Sequence, residues 1–449
     1  MSFPRYPAYK DSGVEWLGSV PAHWRVERLK HIATVFPSNV DKKSYDDEAP
    51  VRLCNYTDVY YNDEIREDMD LMMATATAEQ IEKFSLRAGD TIITKDSETS
   101  DDIAISAYVP NDLPGVVCGY HLSMVRPKSG GNGRFLKRFF DSQVAKAQAA
   151  VTANGLTRVG LGQYAIDNLH ITVPPLEEQV GIGAFLDRET AKIDALVAEQ
   201  EQLITLLKEK RQAVISHAVT KGLDPSVPMK DSGVEWLGEV PAHWEVKALK
   251  FVATVQTGVA KGKDNTGKET VVVPYLRVAN VQDGYLALDD MAEIAIPSSD
   301  LPRYLLRSGD VLMNEGGDFD KLGRGHVWRA EIEPCIHQNH VFAVRPHSVA
   351  PEWLNTVTSS SYAQFYFMSR SKQSTNLASI SSTSIMELPV VLPPQSEQEQ
   401  LLTFLERSTA QLKSLIEEAV LSIELLRERR SALISAAVTG QIDVRRLAQ

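Results

Sequence analysis

From Leu186 onward, Leu186, Ile193, Leu207 and Val214 hold a strict seven-residue register in which Gln200 is the one polar member. The same spacing recurs 219 residues later at Leu405, Leu412, Ala419, Leu426 and Leu433. Leu196, Val197, Leu203 and Ile204 widen the first stripe, and Leu415, Ile416 and Ile423 widen the second. Past its first turns each run goes about 40 residues without Gly or Pro, which predicts a helix of about 60 Å at 1.5 Å per residue. Pro174–Pro175 and Pro393–Pro394 stand just ahead of Glu-bearing first turns, a good helix start. A seven-residue stripe cannot be buried within its own helix, so the two helices are expected to pack on each other as a coiled coil. The alternative is that each lies along its own globule.

Outside these stretches the period changes. Short apolar runs such as "DTIIT", "GVVC" and "HLSMVRP", and later "TVVVPYLRV", "DVLM" and "HVFAVRP", are punctuated by Gly, Pro and Asn. They predict compact α/β or mainly-β globules. The two sets of runs belong to a tandem repeat of the whole unit. "KDSGVEWLGSVPAHW" (10–24) returns as "KDSGVEWLGEVPAHW" (230–244), changed only where Ser19 becomes Glu239. "LRAGDTIITK" (86–95) answers "LRSGDVLMNE" (306–315), "VPPLEEQ" (173–179) answers "LPPQSEQ" (392–398), and "KEKRQAVISHAVT" (208–220) answers "RERRSALISAAVT" (427–439). The order is kept and the offset stays at 219–220, whereas residues 36–85 and 256–305 share little. A duplicated framework with divergent inserts implies two related tasks on two targets. The expected division is a globule over 1–176, a long helix over 177–222, a second globule over 223–395, and a distal helix with its tail over 396–449. The four tryptophans of the repeated passage, Trp16, Trp24, Trp236 and Trp244, are expected to be anchors pinning the chain onto each globule.

Length and composition fit this picture. A chain of 449 residues exceeds one hydrophobic core, and 43% hydrophobic with 24% charged residues is ordinary for globular proteins. Cys54, Cys118 and Cys335 form no CxxC pair, which argues against a disulfide framework and fits a reducing, cytoplasmic setting. The first residues hold no apolar signal core and no run of ~18 apolar residues occurs, so no membrane association is expected. A formal charge of −12 disfavours a protein that coats nucleic acid unspecifically, but not one that touches it over a small basic surface.

The repeated "SGVEWLGSVPAHWRVERL", the "LRAGD" and "LRSGD" turns, "YLRVANV" (275–281) with its degenerate copy "RLCNYTDV" (52–59), and the Pro-Pro helix starts together carry a resemblance. In these motifs and their order the chain resembles the specificity subunit of type I DNA restriction–modification systems over nearly its whole length. The resemblance implies an α+β chain: two pseudo-twofold-related, mixed α/β target-recognition domains separated by two long antiparallel helices forming a coiled coil. It implies a non-catalytic subunit that binds a two-part, asymmetric target in double-stranded DNA, one half-site per domain. The partners would be two modification subunits carrying S-adenosylmethionine and, where the host has them, two restriction subunits. No cofactor is expected on this chain.

The chain's own chemistry points the same way. It lacks the Asn/Asp-Pro-Pro-aromatic motif with which an adenine methyltransferase holds its base. "GKDNTGKE" (262–269) fails as a phosphate loop, because Glu269 stands where the magnesium hydroxyl should be and a strand follows. "CIHQNH" (335–340) lacks a second ligand pair for a metal. The two "GD" turns share no acidic-x-Lys constellation for a nuclease. A non-catalytic scaffold with two protein-binding globules is the other class that remains.

Base edges and phosphates are read by Arg, Lys, Asn and Gln on loops. The candidates are Lys42, Lys43, Tyr45, Asn154 and Arg158 in the first half. In the second they are Lys261, Lys263, Lys268, Arg324, Gln338, Asn339, Lys372, Gln373 and Asn376. Asn154 and Gln373 share a repeat position, as do Arg158 and Leu377, so only the first of those pairs stays polar. The basic runs 208–211 and 427–430 are expected to be solvated faces near helix C-termini.

Overall fold

The computed structural model describes residues 3–262, 265–317, 319, 322–374 and 377–446. Contacts divide the chain into two units, Met1–Glu201 with Val420–Gln449, and Gln202–Ala419. Each unit is therefore closed by one stretch of each long helix, Leu176–Lys221 and Gln395–Val438.

In the first unit a four-stranded antiparallel sheet runs in the order Ala33–Pro37, Leu122–Pro127, Thr91–Thr94, Ser106–Tyr108. Thr91–Thr94 is buried at every position, which explains why "TIIT" lacks the alternation of a half-exposed strand. A second sheet sets Ala49–Cys54 between the parallel Val116–Cys118 and the antiparallel Met72–Ala76. Two cores result. One packs the divergent insert, through Val51, Leu53, Ile65 and Phe84, against Ile92, Ala107, Leu122 and Met124 on one face of the four-stranded sheet; the other joins Trp24, Phe135, Phe139 and Ile171 to both long helices through Leu186, Ile193, Leu433 and Ile434.

The second unit repeats this plan. Its four-stranded sheet runs Ala253–Thr257, Val341–Pro346, Val311–Asn314, Gly325–Val327, and Thr270–Leu276 lies between antiparallel Ala292–Pro297 and parallel Ile336–His337. The inserts, unlike in sequence, share a topology. The turn after each middle strand is closed the same way, Asn55 N–H donating to Asp58 (2.7 Å) and Arg277 N–H to Asn280 (2.9 Å). The degenerate "RLCNYTDV" thus keeps the geometry of "YLRVANV".

The repeated motifs meet in space. Asp90 of "LRAGD" accepts from the Arg87 amide (2.8 Å) and from two nitrogens of Arg126, the arginine of "HLSMVRP", at 2.8 and 2.7 Å. Asp310, Arg307 and Arg345 reproduce this at 2.8, 2.7 and 2.7 Å. Both carboxylates are thereby committed to a fold-internal guanidinium. Trp24 donates its indole N–H to Glu178 in the first turn of the first long helix, and Trp244 does so to Glu397, each at 3.0 Å. His23 and His243 contact the same carboxylates at 2.7 Å. The "VPAHW" passage thus docks each globule onto a helix start. Trp24 and Trp244 are fully buried, but Trp16 and Trp236 are half-exposed and lie against His170 and Tyr366, so only one tryptophan of each passage is a core anchor. At the far end of the second helix Gly440 (φ +78°) comes so close to Pro21 that a Cβ would stand 2.3 Å from its ring.

The heptad register is buried at Leu186, Ile193, Leu207, Leu405, Leu412 and Leu433 and half-buried at Val214 and Leu426. In the first unit Arg427 meets Glu201 (3.2 Å) and Arg430 meets Asp194 (2.9 Å), so the helices there run antiparallel. In the second, Ile215 and Val219 share a core with Leu401 and Leu405. The widened stripe holds only on one side: Ile423 is buried and Val197, Ile204 and Ile416 are half-buried, whereas Leu196, Leu203 and Leu415 are more than 40% exposed. Side chains three positions on from the seam have rotated toward solvent. The 427–430 run is also more than a solvated face, since Arg430 is engaged by Asp194 and Asp63.

Candidate nucleic-acid interface

In each unit three chain segments far apart in sequence converge on one edge of the four-stranded sheet. In the first unit the strand Thr91–Thr94 runs on into Lys95, whose amide takes the His121 carbonyl (3.0 Å), while Asp96–Ser97 pairs with Val159–Gly160. Asn154 and Gly160 exchange backbone bonds at 3.0 and 2.9 Å, closing a loop that presents Asn154 and Arg158 to solvent. Val40 bridges to Gly119, which sets the exposed Lys42 and Lys43 just beyond the Tyr120–His121 turn. Tyr45 belongs elsewhere: its amide is held by Thr75 on the insert sheet (2.9 Å).

The second unit assembles the same edge. Glu315 N–H takes the His340 carbonyl (2.9 Å), Ile380 N–H takes the Glu315 carbonyl (2.9 Å), and Asn314 N–H takes the Arg324 carbonyl (3.0 Å). The hairpin Lys372–Ser374 with Leu377–Ser379 pairs onto Gly316–Gly317. Val259 bridges to Gln338, so Lys261 follows that edge as Lys42 does in the first unit. The edge therefore gathers Lys261, Arg324, Asn339, Lys372 and Gln373, with Lys261, Lys372 and Gln373 exposed. Gln338 points its amide oxygen inward at the Val278 amide (3.4 Å), which leaves Asn339 as the outward member of that pair. Lys268 is exposed on the loop before Thr270, tied to Asn265 (3.1 Å). Lys263 and Asn376 lie outside the described residues.

Sequence reasoning missed one repeated feature. His121 Nδ1 contacts Asp96 at 2.9 Å, and His340 Nδ1 contacts Glu315 at 2.6 Å, each at the centre of its edge. The signal was present, because both histidines open the repeated "HLSMVRP" and "HVFAVRP" strands. It also missed the aromatic component of the first edge, where the Lys95 ammonium lies 4.6 Å from the half-exposed Tyr120 ring. Burial lowers the Lys95 pKa from its ordinary value. Tyr56 and Tyr60 stack nearby at 5.5 Å, and Tyr60 donates to Asp102 (2.9 Å).

The chemistry on offer is donors, acceptors and aromatic faces. Among the described residues no three His, Cys, Asp or Glu side chains are grouped to hold a metal ion. His337 is buried with Nδ1 donating to the Val341 carbonyl (2.7 Å), and His340 is turned to Glu315, so "CIHQNH" is divided between core and surface. Among the described residues no helix is long and apolar enough to cross a membrane.

Comparison with known proteins agrees with this architecture. Residues 21–206 match the sequence family described as type I restriction modification DNA specificity domain. The chain is 24% identical over 332 residues to the EcoKI specificity subunit of Escherichia coli K12, covering 73% of this chain and 68% of that protein. It is 22% identical over 331 residues to the StySPI specificity subunit of Salmonella potsdam, with the same coverage. In fold it is similar to a chain solved in a study of assembly and conformational transition of the type I R-M system (TM-score 0.69, 18% identity, 93% of this chain and 98% of that one). It is likewise similar to the HsdS subunit of Thermoanaerobacter tengcongensis (TM-score 0.53, 18% identity, 94% and 98%). With two copies of one scaffold, each docked onto a long helix by the same passage, the chain carries a type I restriction modification DNA specificity domain over residues 21–206 and is similar in sequence and fold to specificity subunits of type I restriction–modification systems.

Proposed function

We propose that this chain is the non-catalytic, sequence-reading subunit of a type I restriction–modification assembly, each unit reading one half of an asymmetric two-part site in duplex DNA. The observation that carries the reading is the duplicated edge: the same three segments converge twice, around the same His–carboxylate pair, with different side chains displayed. Retained framework and changed display are what two different half-sites require. Lys42, Lys43, Lys261 and Lys268 suit phosphate contacts, which position the protein, whereas Asn154, Arg158, Arg324, Asn339 and Gln373 suit base edges, which specify. The methyl transfer would belong to two modification subunits bearing S-adenosylmethionine, and cleavage to restriction subunits where the host has them.

The test is a map of methylated adenines in cells expressing this chain with its modification subunit, against cells lacking this chain. A two-part motif with one gap length, absent from the control, is the expected result. An assembled complex without chain-dependent methylation overturns the reading and favours a protein-binding scaffold. Within the reading, Lys42→Ala with Lys43→Ala weakens binding evenly across sequences and lowers the salt slope by about 1 to 2, whereas Arg324→Ala relaxes one base position at a cost of about 1–3 kcal/mol.

A further inference from the structure

We propose that Asp63 is a positioning residue: it latches the insert of the first recognition unit to the paired long helices, so that its half-site is accepted at a single distance. This rests on the sequence-reading role proposed above. The insert packs with one face of the four-stranded sheet in a core that takes in neither long helix; the long helices belong to the other core of the unit. A polar cleft of about 510 Å³ opens between the insert and the first long helix, lined by Asp63, Glu64, Arg134, Lys137, Arg138 and Asp187 among others. Ion pairs bridge it where an apolar seam would otherwise form.

The bridge is continuous. Asp63 belongs to the insert, and its carbonyl accepts from the amide of Tyr108 (2.9 Å) on the outer strand of the four-stranded sheet. Its carboxylate meets Lys137 (2.8 Å) on the helix Gly133–Asp141 and Arg430 (3.4 Å) on the second long helix. Lys137 is held from its other side by Asp141 (2.8 Å). Arg138 joins Asp141 (3.0 Å) to Asp187 (2.8 Å) of the first long helix, Arg134 also pairs with Asp187, and Arg430 continues to Asp194 (2.9 Å). Lys137 and Arg138 are only 3% and 6% exposed, so their charges act at low dielectric and hold direction as well as contact.

Among its described residues the second unit shows no such device. Its matching helix, Pro351–Thr358, is in register with Gly133–Asp141: Ser142 and Ser360 both cap the next helix, and the following amides bond Ser435 and Ser216 of the long helices. In that register Asn355, Thr356 and Ser359 replace Lys137, Arg138 and Asp141. Among the described residues no ion pair joins the Pro351–Thr358 helix to either long helix. A latch kept in one copy of a duplicated scaffold goes beyond what the shared framework needs.

Asp63 can be altered gently, because its side chain is 56% exposed and its removal leaves Lys137 and Arg138 still paired with Asp141 and Asp187. An insert free to rock by about 3.4 Å would tolerate a half-site displaced by one base pair. The experiment maps adenine methylation with the full chain and its modification subunit, for wild type, Asp63→Asn, Asp63→Glu, Arg430→Gln and the control Thr356→Ala. We expect Asp63→Asn and Arg430→Gln to raise methylation of sites with a gap one base pair longer or shorter, relative to the parent gap, on the order of tenfold. Asp63→Glu restores the single gap and Thr356→Ala leaves it unchanged. A purely structural role would lower methylation evenly at all sites without new gaps, and that result overturns the latch while leaving the sequence-reading role intact. So does a control that relaxes the gap as much. A wild-type map with no two-part motif overturns both.

Discussion

Replacing Arg126 by Met isolates the contact that ties the "GD" turn of the first unit to its central sheet. The Asp90 carboxylate is 1% exposed and accepts two guanidinium bonds of 2.8 and 2.7 Å plus the Arg87 amide at 2.8 Å. Removing one partner of a buried pair leaves an uncompensated carboxylate, at a cost of about 3–5 kcal/mol. Arg126 keeps 22% of its side chain in water, which places this case at the lower end, about 3 kcal/mol. At roughly 3 °C per kcal/mol for a body of this size, the apparent Tm falls by about 9 °C. Arg126→Lys recovers little, because a point charge cannot reproduce the two-pronged geometry. Adding Asp90→Asn to Arg126→Met recovers part of the loss, since the stranded charge is gone while the amide oxygen still accepts from Arg87. Arg345→Met, facing Asp310 at 2.7 Å, gives a matched loss in the second unit. Thermal and urea unfolding followed by circular dichroism read these four variants and Asp90→Asn alone. A loss below about 1 kcal/mol for Arg126→Met, or a double variant costing the sum of its parts, would refute the reasoning.

Three further outcomes are expected. Burial pushes the His337 pKa down to about 4. The unfolded chain takes up that proton below about pH 6.5 and the folded chain does not, so stability is full above 6.5 and declines as pH falls toward 4. About 2 kcal/mol is lost between pH 7 and pH 5; urea midpoints at the two values should show it, and His337→Gln should flatten the slope. Cys54, Cys118 and Cys335 are buried, and burial raises each thiol pKa, that of Cys335 to about 12. A thiol reagent at pH 7.5 should find no reactive cysteine in the native chain and all three in denaturant. Glu178 accepts from Tyr6, His23 and Trp24 with 10% of its side chain exposed, whereas among the described residues Glu397 accepts from His243 and Trp244 with 28% exposed. Glu178→Ala should therefore cost about 3 kcal/mol and Glu397→Ala about half that in thermal unfolding.

Some of the candidate interface could be read in advance. Lys42, Lys43, Asn154, Arg158, Lys261, Lys372 and Gln373 stand in polar runs outside the apolar strand and helix patterns, and the structure leaves each of them exposed. Choosing among them needed the tertiary contacts. Tyr45 and Gln338 looked equally suitable, but one is held on the insert sheet and the other turns its amide oxygen inward.

The amino-acid sequence by itself determined the duplication, the two long helices with their seven-residue seams, the helix starts and the pairing-prone motifs. Those signals are local or survive as near-identity: a period of seven, a Pro-Pro before Glu, a passage repeated 220 residues on. Only the tertiary structure decided that the unlike inserts 36–85 and 256–305 each add two strands to one later strand in the same three-stranded arrangement. Strand pairing is settled by partners across space, and many sequences satisfy one pairing. It alone brought Asp63 to Arg430, 367 residues away, with no counterpart among the described residues of the second unit. An ion pair has no period and no motif, so charges become partners only once the chain has folded around them.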